Sequence, residues 1–139
     1  MAVPDASPKT SPVRILVVDD SELMRRSLRM LLEQQDQWRV CSEATNGREA
    51  IKKAQQSSPD VIVMDFQMPE MNGLDAAREI ARRTPGISIL MVTLHMSPQL
   101  EQQAKTIGIR GACDKNDVGC VIDAVETLLH HGTYYRNWH

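Results

Sequence analysis

The sequence has no surplus of positive charge, no apolar run of membrane length and no patterned set of cysteines. Each absence removes a class of function. Sixteen Lys and Arg stand against 18 Asp and Glu, for a formal net charge of −2. The two signs are interspersed, so the basic field that draws a protein onto nucleic acid is missing. No stretch approaches the ~20 apolar residues of a spanning helix, and the first residues lack the apolar centre of a secretory signal. Cys41, Cys113 and Cys120 are odd in number and have no metal-ligand spacing, which suits reduced thiols in a cytoplasmic protein. Cys41 and Cys113 fall in strand-like segments and are expected to act as small buried hydrophobes.

What is present is a chain of 139 residues, enough for one domain with a full core and no disulfide or metal staple. Residues 1–12 contain three prolines among small polar residues and read as a disordered tail. From there four short apolar runs stand out. Ile15–Val18 ends in Asp19-Asp20, Val61–Met64 in Asp65 and Ile89–Val92 in Thr93, and the weaker Gly111–Asp114 ends in Lys115. A fifth strand is expected over Arg39–Ala44. Short apolar runs separated by helical stretches are the pattern of a buried parallel sheet.

The intervening segments carry helical spacing and end signals. Ser21 is placed to cap a helix with the stripe Met24, Leu28, Leu31, Leu32. Asn46 opens a second helix, burying Ala50, Ile51 and Ala54, and Pro59 stops it. Turn residues 67–73 lead to a third helix marked by Leu74, Ala77 and Ala81. Leu100, Ala104 and Ile107 mark a fourth, ended by Gly108, and Val118, Val121, Ile122, Val125, Leu128 and Leu129 a fifth, ended by Gly132. The expectation is a single α/β domain of flavodoxin-like, doubly wound type, a (βα)5 unit with a five-stranded parallel sheet and helices on both faces.

In such a sheet the carboxyl ends of the strands share one edge, where ligands bind. Asp19, Asp20, Asp65, Thr93 and Lys115 therefore converge. Two carboxylates ~5 Å apart repel by about 3 kcal/mol at an effective dielectric of ~20, so the cluster calls for a compensating cation. All-oxygen ligands with room for water and phosphate suit Mg²⁺ better than zinc. Helix capping or strand ending explains Asp20 or Asp65 singly, but not three acids with a hydroxyl and an ammonium at successive strand ends.

Asp19-Asp20, Asp65 followed by Met68-Pro69 and Gly73, then Thr93 and Lys115 resemble the receiver domain of two-component response regulators. The likeness runs from about Val13 to Gly132, so residues 13–132 are expected to form the receiver and 133–139 a C-terminal tail. Val92-Thr93-Leu94-His95 and Gly132-Thr133-Tyr134-Tyr135 are similar to the NarL/FixJ subgroup, which usually carries a helix-turn-helix effector. The resemblance implies that Asp65 accepts a phosphoryl group from a histidine kinase or phosphotransfer protein. It implies Mg²⁺ on Asp20, Asp65 and the backbone carbonyl of Gln67, with Asp19 holding a metal-bound water. Lys115 would pair with Asp65 and then with a phosphoryl oxygen, and Thr93 would donate its hydroxyl to another. Beyond self-catalysed transfer and hydrolysis no enzyme activity is implied. The signal would leave through a protein surface, with a homodimer over the fourth helix, fifth strand and fifth helix.

Other positions have plainer readings beside functional ones. Gly73 is expected to supply a positive φ. Gln67 and His95, each two residues past a signature position, either flank the phosphoryl group or face solvent. His130, His131 and His139 are expected at most to meet a helix end. Arg25, Arg26 and Arg29 form either a solvated helix face or part of a kinase-docking face. Tyr134, Tyr135 and Trp138 either pack back on the domain or begin a linker. Two positions depart from the family: Ala112 where receivers usually have an aromatic, and Asn116 where proline is common. Ala112 is expected to weaken the usual threonine-to-aromatic switch. Three other functions compete. An aspartate-nucleophile, Mg²⁺-dependent phosphatase of the haloacid-dehalogenase kind needs an acid where Gln67 stands. A flavodoxin-type carrier needs a hydroxyl-rich phosphate loop where Asp19-Asp20 would repel phosphate. A degenerate receiver, acting only as a binding module, usually lacks one of the five signature residues.

Overall fold

The structure is a computed structural model, described here for residues 12–68, 71–117 and 119–135. Strands and helices alternate: β1 (Val13–Val18), α1 (Glu22–Glu33), β2 (Trp38–Ala44), α2 (Gly47–Ser57), β3 (Val61–Asp65), α3 (Gly73–Arg83), β4 (Ser88–Thr93), α4 (Pro98–Ile107), β5 (Gly111–Asp114) and α5 (Gly119–Leu129). A further two-residue strand, β6 (Tyr134–Tyr135), follows. All pairings are parallel and the order is β2-β1-β3-β4-β5-β6. The flavodoxin-like fold stands. The expected five strands become six among the described residues, because Tyr134 and Tyr135 lie beside β5 rather than in a tail.

The period of two along the strands divides the core into two layers. Ile15 and Val17 of β1 face Leu28 and Leu32 of α1 and Val121, Val125 and Leu128 of α5. Leu16 and Val18 face the other way, into a layer covered by Ala50 and Ala54 of α2, Ala76, Ala77 and Ile80 of α3 and Ala104 of α4. Alanines on these three helices let them lie close against Ile62, Met64, Ile89 and Met91. β1 has neighbours on both sides whose crossovers go to opposite faces, so the crevice opens between the ends of β1 and β3.

The capping signals act as expected. Ser21 accepts from the Met24 N–H at 3.2 Å, Asn46 from Glu49 at 2.9 Å, and Gly108 closes α4 at φ 103°. Leu31 is half-buried outside both layers, so Leu28 and Leu32 carry the α1 contact. Cys113 and Cys120 are buried and Cys41 is half-buried. Val118 of the α5 stripe lies outside the described residues, as do Pro69, Trp138, His139 and residues 1–11.

Gly73 needs correction. Among the described residues only Gly108 is a glycine with positive φ, whereas Gly73 opens α3 in ordinary helical backbone. It is needed for space: a Cβ there would stand 2.6 Å from Phe66 Cγ and 2.8 Å from Phe66 Cα. The backbone atom cannot swing away, so Gly73→Ala is expected to cost about 2 kcal/mol through overpacking. Chemical denaturation measures it.

Arg25 and Arg29 are engaged within the domain. Glu43 of β2 accepts from Arg25 Nε at 2.9 Å and from Arg29 Nε and Nη2 at 2.9 and 2.7 Å. Partial burial pushes the Glu43 carboxyl up, but the hydrogen bonds from Arg29 and Arg25 outweigh it and hold the group below its ordinary range. A lowered folded-state pKa stabilises above the unfolded value, and that gain is lost as pH falls through the folded one. Glu43→Gln is expected to remove roughly 1 kcal/mol at pH 7, screening by solvent included, and to flatten the acid limb below about pH 4.5. A pH series of thermal midpoints tests this.

Candidate functional site

Each signature residue sits where a strand hands over to its loop. Asp19 follows β1, and its N–H donates to Ala44 O at 3.1 Å, so pairing with β2 continues one residue past the strand. Its Oδ1 accepts from the Ser21 N–H at 2.8 Å, while Arg25 Nη1 donates to its carbonyl at 2.9 Å. Asp20 is exposed at the rim. Asp65 ends β3 opposite Val92, with Oδ1 accepting from the Gln67 N–H at 2.9 Å. Thr93 ends β4 opposite Asp114, and Lys115 follows with its N–H on Thr93 O at 2.9 Å. Asp19, Asp65 and Thr93 are each 1% exposed, the buried polar residues of a sheet otherwise apolar in its core.

Lys115 bridges the acids. Its Nζ is 2.8 Å from Asp65 Oδ2 and 3.4 Å from Asp19 Oδ2. Burial alone would lower the Lys115 pKa. The hydrogen bond and charge of Asp65, helped by Asp19, prevail and hold it above the ordinary range. Burial pushes the Asp19 carboxyl up; the Ser21 N–H and the Lys115 charge oppose the rise and the Asp65 charge adds to it. One ammonium is thus shared by two buried carboxylates, and Asp20 sets a third acid beside them.

Carboxylate oxygens of Asp19, Asp20 and Asp65 lie within 4.8 Å of one another. The spacing, the all-oxygen donor set and the uncompensated charge fit a hard divalent cation such as Mg²⁺. Cationic charge placed there would offset the repulsion that Lys115 alone leaves, and the exposed side of Asp20 leaves room for water and an incoming phosphate.

The loops around the acids are tied to one another. Gln67 turns its side chain across the crevice, and Oε1 accepts from the Leu94 N–H at 3.1 Å. The Thr93 hydroxyl accepts from the His95 N–H at 3.3 Å, which leaves its proton free to donate. Under this loop is a cavity of about 190 Å³ lined by Phe66, Gln67, Asn72, Leu74, Thr93, His95 and Leu100. His130 sits at the end of α5 with Nδ1 2.9 Å from Glu126 O, far in sequence from these residues.

Two features are not readable from the sequence pattern. One is the span from Gln67 to Leu94. The other is the register of Tyr135, which packs back on the domain, one of its two expected placements, opposite Ala112 and in the same layer. The Gly111-Ala112 pair, small residues on a core strand, is the only sequence signal for it.

The model of the family described as the response regulator receiver domain matches residues 15–126. Response regulator UvrY of Escherichia coli is 37% identical over 103 residues, covering 74% of this chain and 47% of that protein. The protein-glutamate methylesterase/protein-glutamine glutaminase 2 of Carboxydothermus hydrogenoformans is 53% identical over 85 residues, covering 60% of this chain and 24% of its own. The chain therefore spans half or less of the length of these curated relatives. A crystal structure of a LuxR-family two-component response regulator from an Aurantimonas species superposes with TM-score 0.85 at 30% identity, covering 89% of each chain. With its acids, hydroxyl and ammonium on one edge of a 2-1-3-4-5-6 sheet, the chain belongs to the response regulator receiver domain family.

Proposed function

We propose that Asp65 is the phosphoacceptor of this receiver. The observation behind this reading is a buried carboxylate whose Oδ2 is held 2.8 Å from Lys115 and whose neighbours are two further acids. An Asp65 oxygen attacks the phosphorus of phosphohistidine on a histidine kinase or phosphotransfer protein. The P–N bond breaks, its electron pair goes to the imidazole, and an acyl phosphate remains. Asp20, Asp65 and the Gln67 carbonyl would hold Mg²⁺, with Asp19 placing a bound water. When bound there, the ion neutralises charge on the transferring group. Lys115 then moves its hydrogen bond from Asp65 to a phosphoryl oxygen, and the Thr93 hydroxyl donates to another.

Residues 13–132 make up the receiver in this reading, extended at its sheet edge by β6. Among the described residues no helix is long and apolar enough to cross a membrane, and a cytoplasmic setting with a sensor kinase as donor is consistent with the chemistry. The phosphorylated state would be read through the α4, β5, α5 face, by a second copy or by an effector segment of the kind that longer relatives carry. A phosphatase of the haloacid-dehalogenase kind is disfavoured by Gln67, whose amide cannot serve as general acid.

Incubation with acetyl phosphate and Mg²⁺, followed by intact mass, tests the assignment. The chain is expected to gain one phosphoryl group only when divalent metal is present. Equal labelling of Asp65→Asn would refute it.

A further inference from the structure

We propose that Tyr135 clamps α4 to the edge of the sheet, so that β6 is a releasable link between the state of the site and the chain that continues past it. The inference rests on the phosphoacceptor reading above.

β6 is a slight strand whose attachments are unusually specific. Tyr135 pairs with Ala112, so the two project onto the same face, and Ala112 is 1% exposed with only a methyl group to fill it. The Tyr135 ring supplies the missing volume from the neighbouring strand, packed against the layer that includes Met91, Ala104 and Ile109. Its hydroxyl donates to Ile109 O at 2.5 Å. Lys105 of α4 sits over the ring, Nζ 4.9 Å from the centroid, while pairing with Glu101 at 2.9 Å. Gly111 makes the approach possible, since a Cβ there would stand 2.9 Å from Tyr134 O. The β6 backbone is held to the chain before β5 by the Tyr134 N–H on Arg110 O at 2.9 Å.

The other end of the device is α4. Ala104 is its one fully buried residue, so the helix rests lightly on the sheet. Only residues 94–97 separate Thr93 from it, and Leu100 of its first turn borders the 190 Å³ cavity beside Thr93. Drawing the Thr93 hydroxyl toward a phosphoryl group pulls this loop over the cavity. α4 follows, Lys105 leaves the ring, and Tyr135 loses its contact with α4 and keeps only the Ile109 hydrogen bond and its packing on the sheet. A two-residue strand has too few bonds to stay paired alone.

Amide exchange at Tyr134, read by NMR on the 139-residue chain with Mg²⁺ and with or without beryllofluoride, tests this. Beryllofluoride is expected to speed Tyr134 exchange about tenfold, within the range of a two-site coupling. Tyr135→Ala and Ala112→Phe, whose ring competes for the same space, should exchange fast in both states with no response. Tyr135→Phe keeps the ring and should keep a reduced response. The clamp is overturned if the Gln67 amide beside Asp65 responds to beryllofluoride while Tyr134 does not, or if Tyr135→Ala leaves Tyr134 protected. If neither amide responds, the phosphoacceptor reading fails and the clamp with it.

Discussion

Replacing Asp20 by alanine is expected to weaken Mg²⁺ binding by about a hundredfold or more while leaving the fold intact, because in the proposed site the side chain would serve as a ligand and not as a structural support. Asp20 is exposed and its carboxylate faces two buried acids, so removing it discards a charge that the metal-free fold has to tolerate. Each like-charged pair at this spacing is worth about 3 kcal/mol of repulsion at an effective dielectric of ~20, before solvent screening at the rim. Thermal stability without metal should therefore stay level or rise. Calorimetric Mg²⁺ titration and an apo melting curve give both numbers. Cooperative unfolding of the variant would assign Asp20 a structural role instead.

Lys115→Ala is expected to act in the opposite sense. It strips the ammonium from Asp65 and Asp19, each 1% exposed, and leaves two buried carboxylates facing each other. Uncompensated buried charge is costly, and a loss of about 2 kcal/mol in metal-free stability at neutral pH is expected, less than for a fully buried pair because Lys115 is partly exposed. The folded-state pKa of Lys115 is raised, so its contribution is fully present below the unfolded value near 10.4 and fades only as pH rises through the higher folded one. The deficit should thus be flat from pH 6 to about 9. Added Mg²⁺ should recover most of it and should bind more tightly than to the wild type, since the competing cation is gone. Denaturant midpoints with and without Mg²⁺ measure the effect; a deficit that metal does not reduce would separate Lys115 from the cation site.

The strand ends were legible because the sheet is parallel. Once Ile15–Val18, Val61–Met64 and Ile89–Val92 are parallel strands, their carboxyl ends must share an edge, and Asp19, Asp65 and Thr93 come together without knowledge of any contact. The helix ends at Ser21, Asn46 and Gly108 were legible for a local reason, since a cap bonds its own first or last turn. What depended on distant partners was hidden. Gly73 reads from sequence as a backbone-angle residue but serves the approach of Phe66, which no local pattern records. Arg25 and Arg29 read from sequence as a solvated or docking helix face, because their partner Glu43 lies 18 and 14 residues away. β6 is too short to show a period, and the partner of Tyr135 is a residue known only by its smallness, Ala112.

Ala112 on its own predicts a weakened switch for lack of an aromatic on β5. An aromatic does occupy that layer, contributed by the strand next door and anchored to α4 by Lys105 and to the strand's approach by Ile109. In the proposed clamp, coupling between the site and the sheet edge would run through Tyr135 and α4 rather than through β5 itself.

The phosphoacceptor assignment rests on which aspartate takes the phosphoryl group, and reductive trapping identifies it directly. An acyl phosphate is cleaved by borohydride to leave an alcohol, so a phosphorylated aspartate becomes homoserine in the peptide that carried it. After treatment with acetyl phosphate and Mg²⁺, homoserine is expected at position 65 and nowhere else in the chain. Homoserine at position 19 or 20 with Asp65 unchanged would contradict the assignment, as would a phosphorylated chain that yields no homoserine at all.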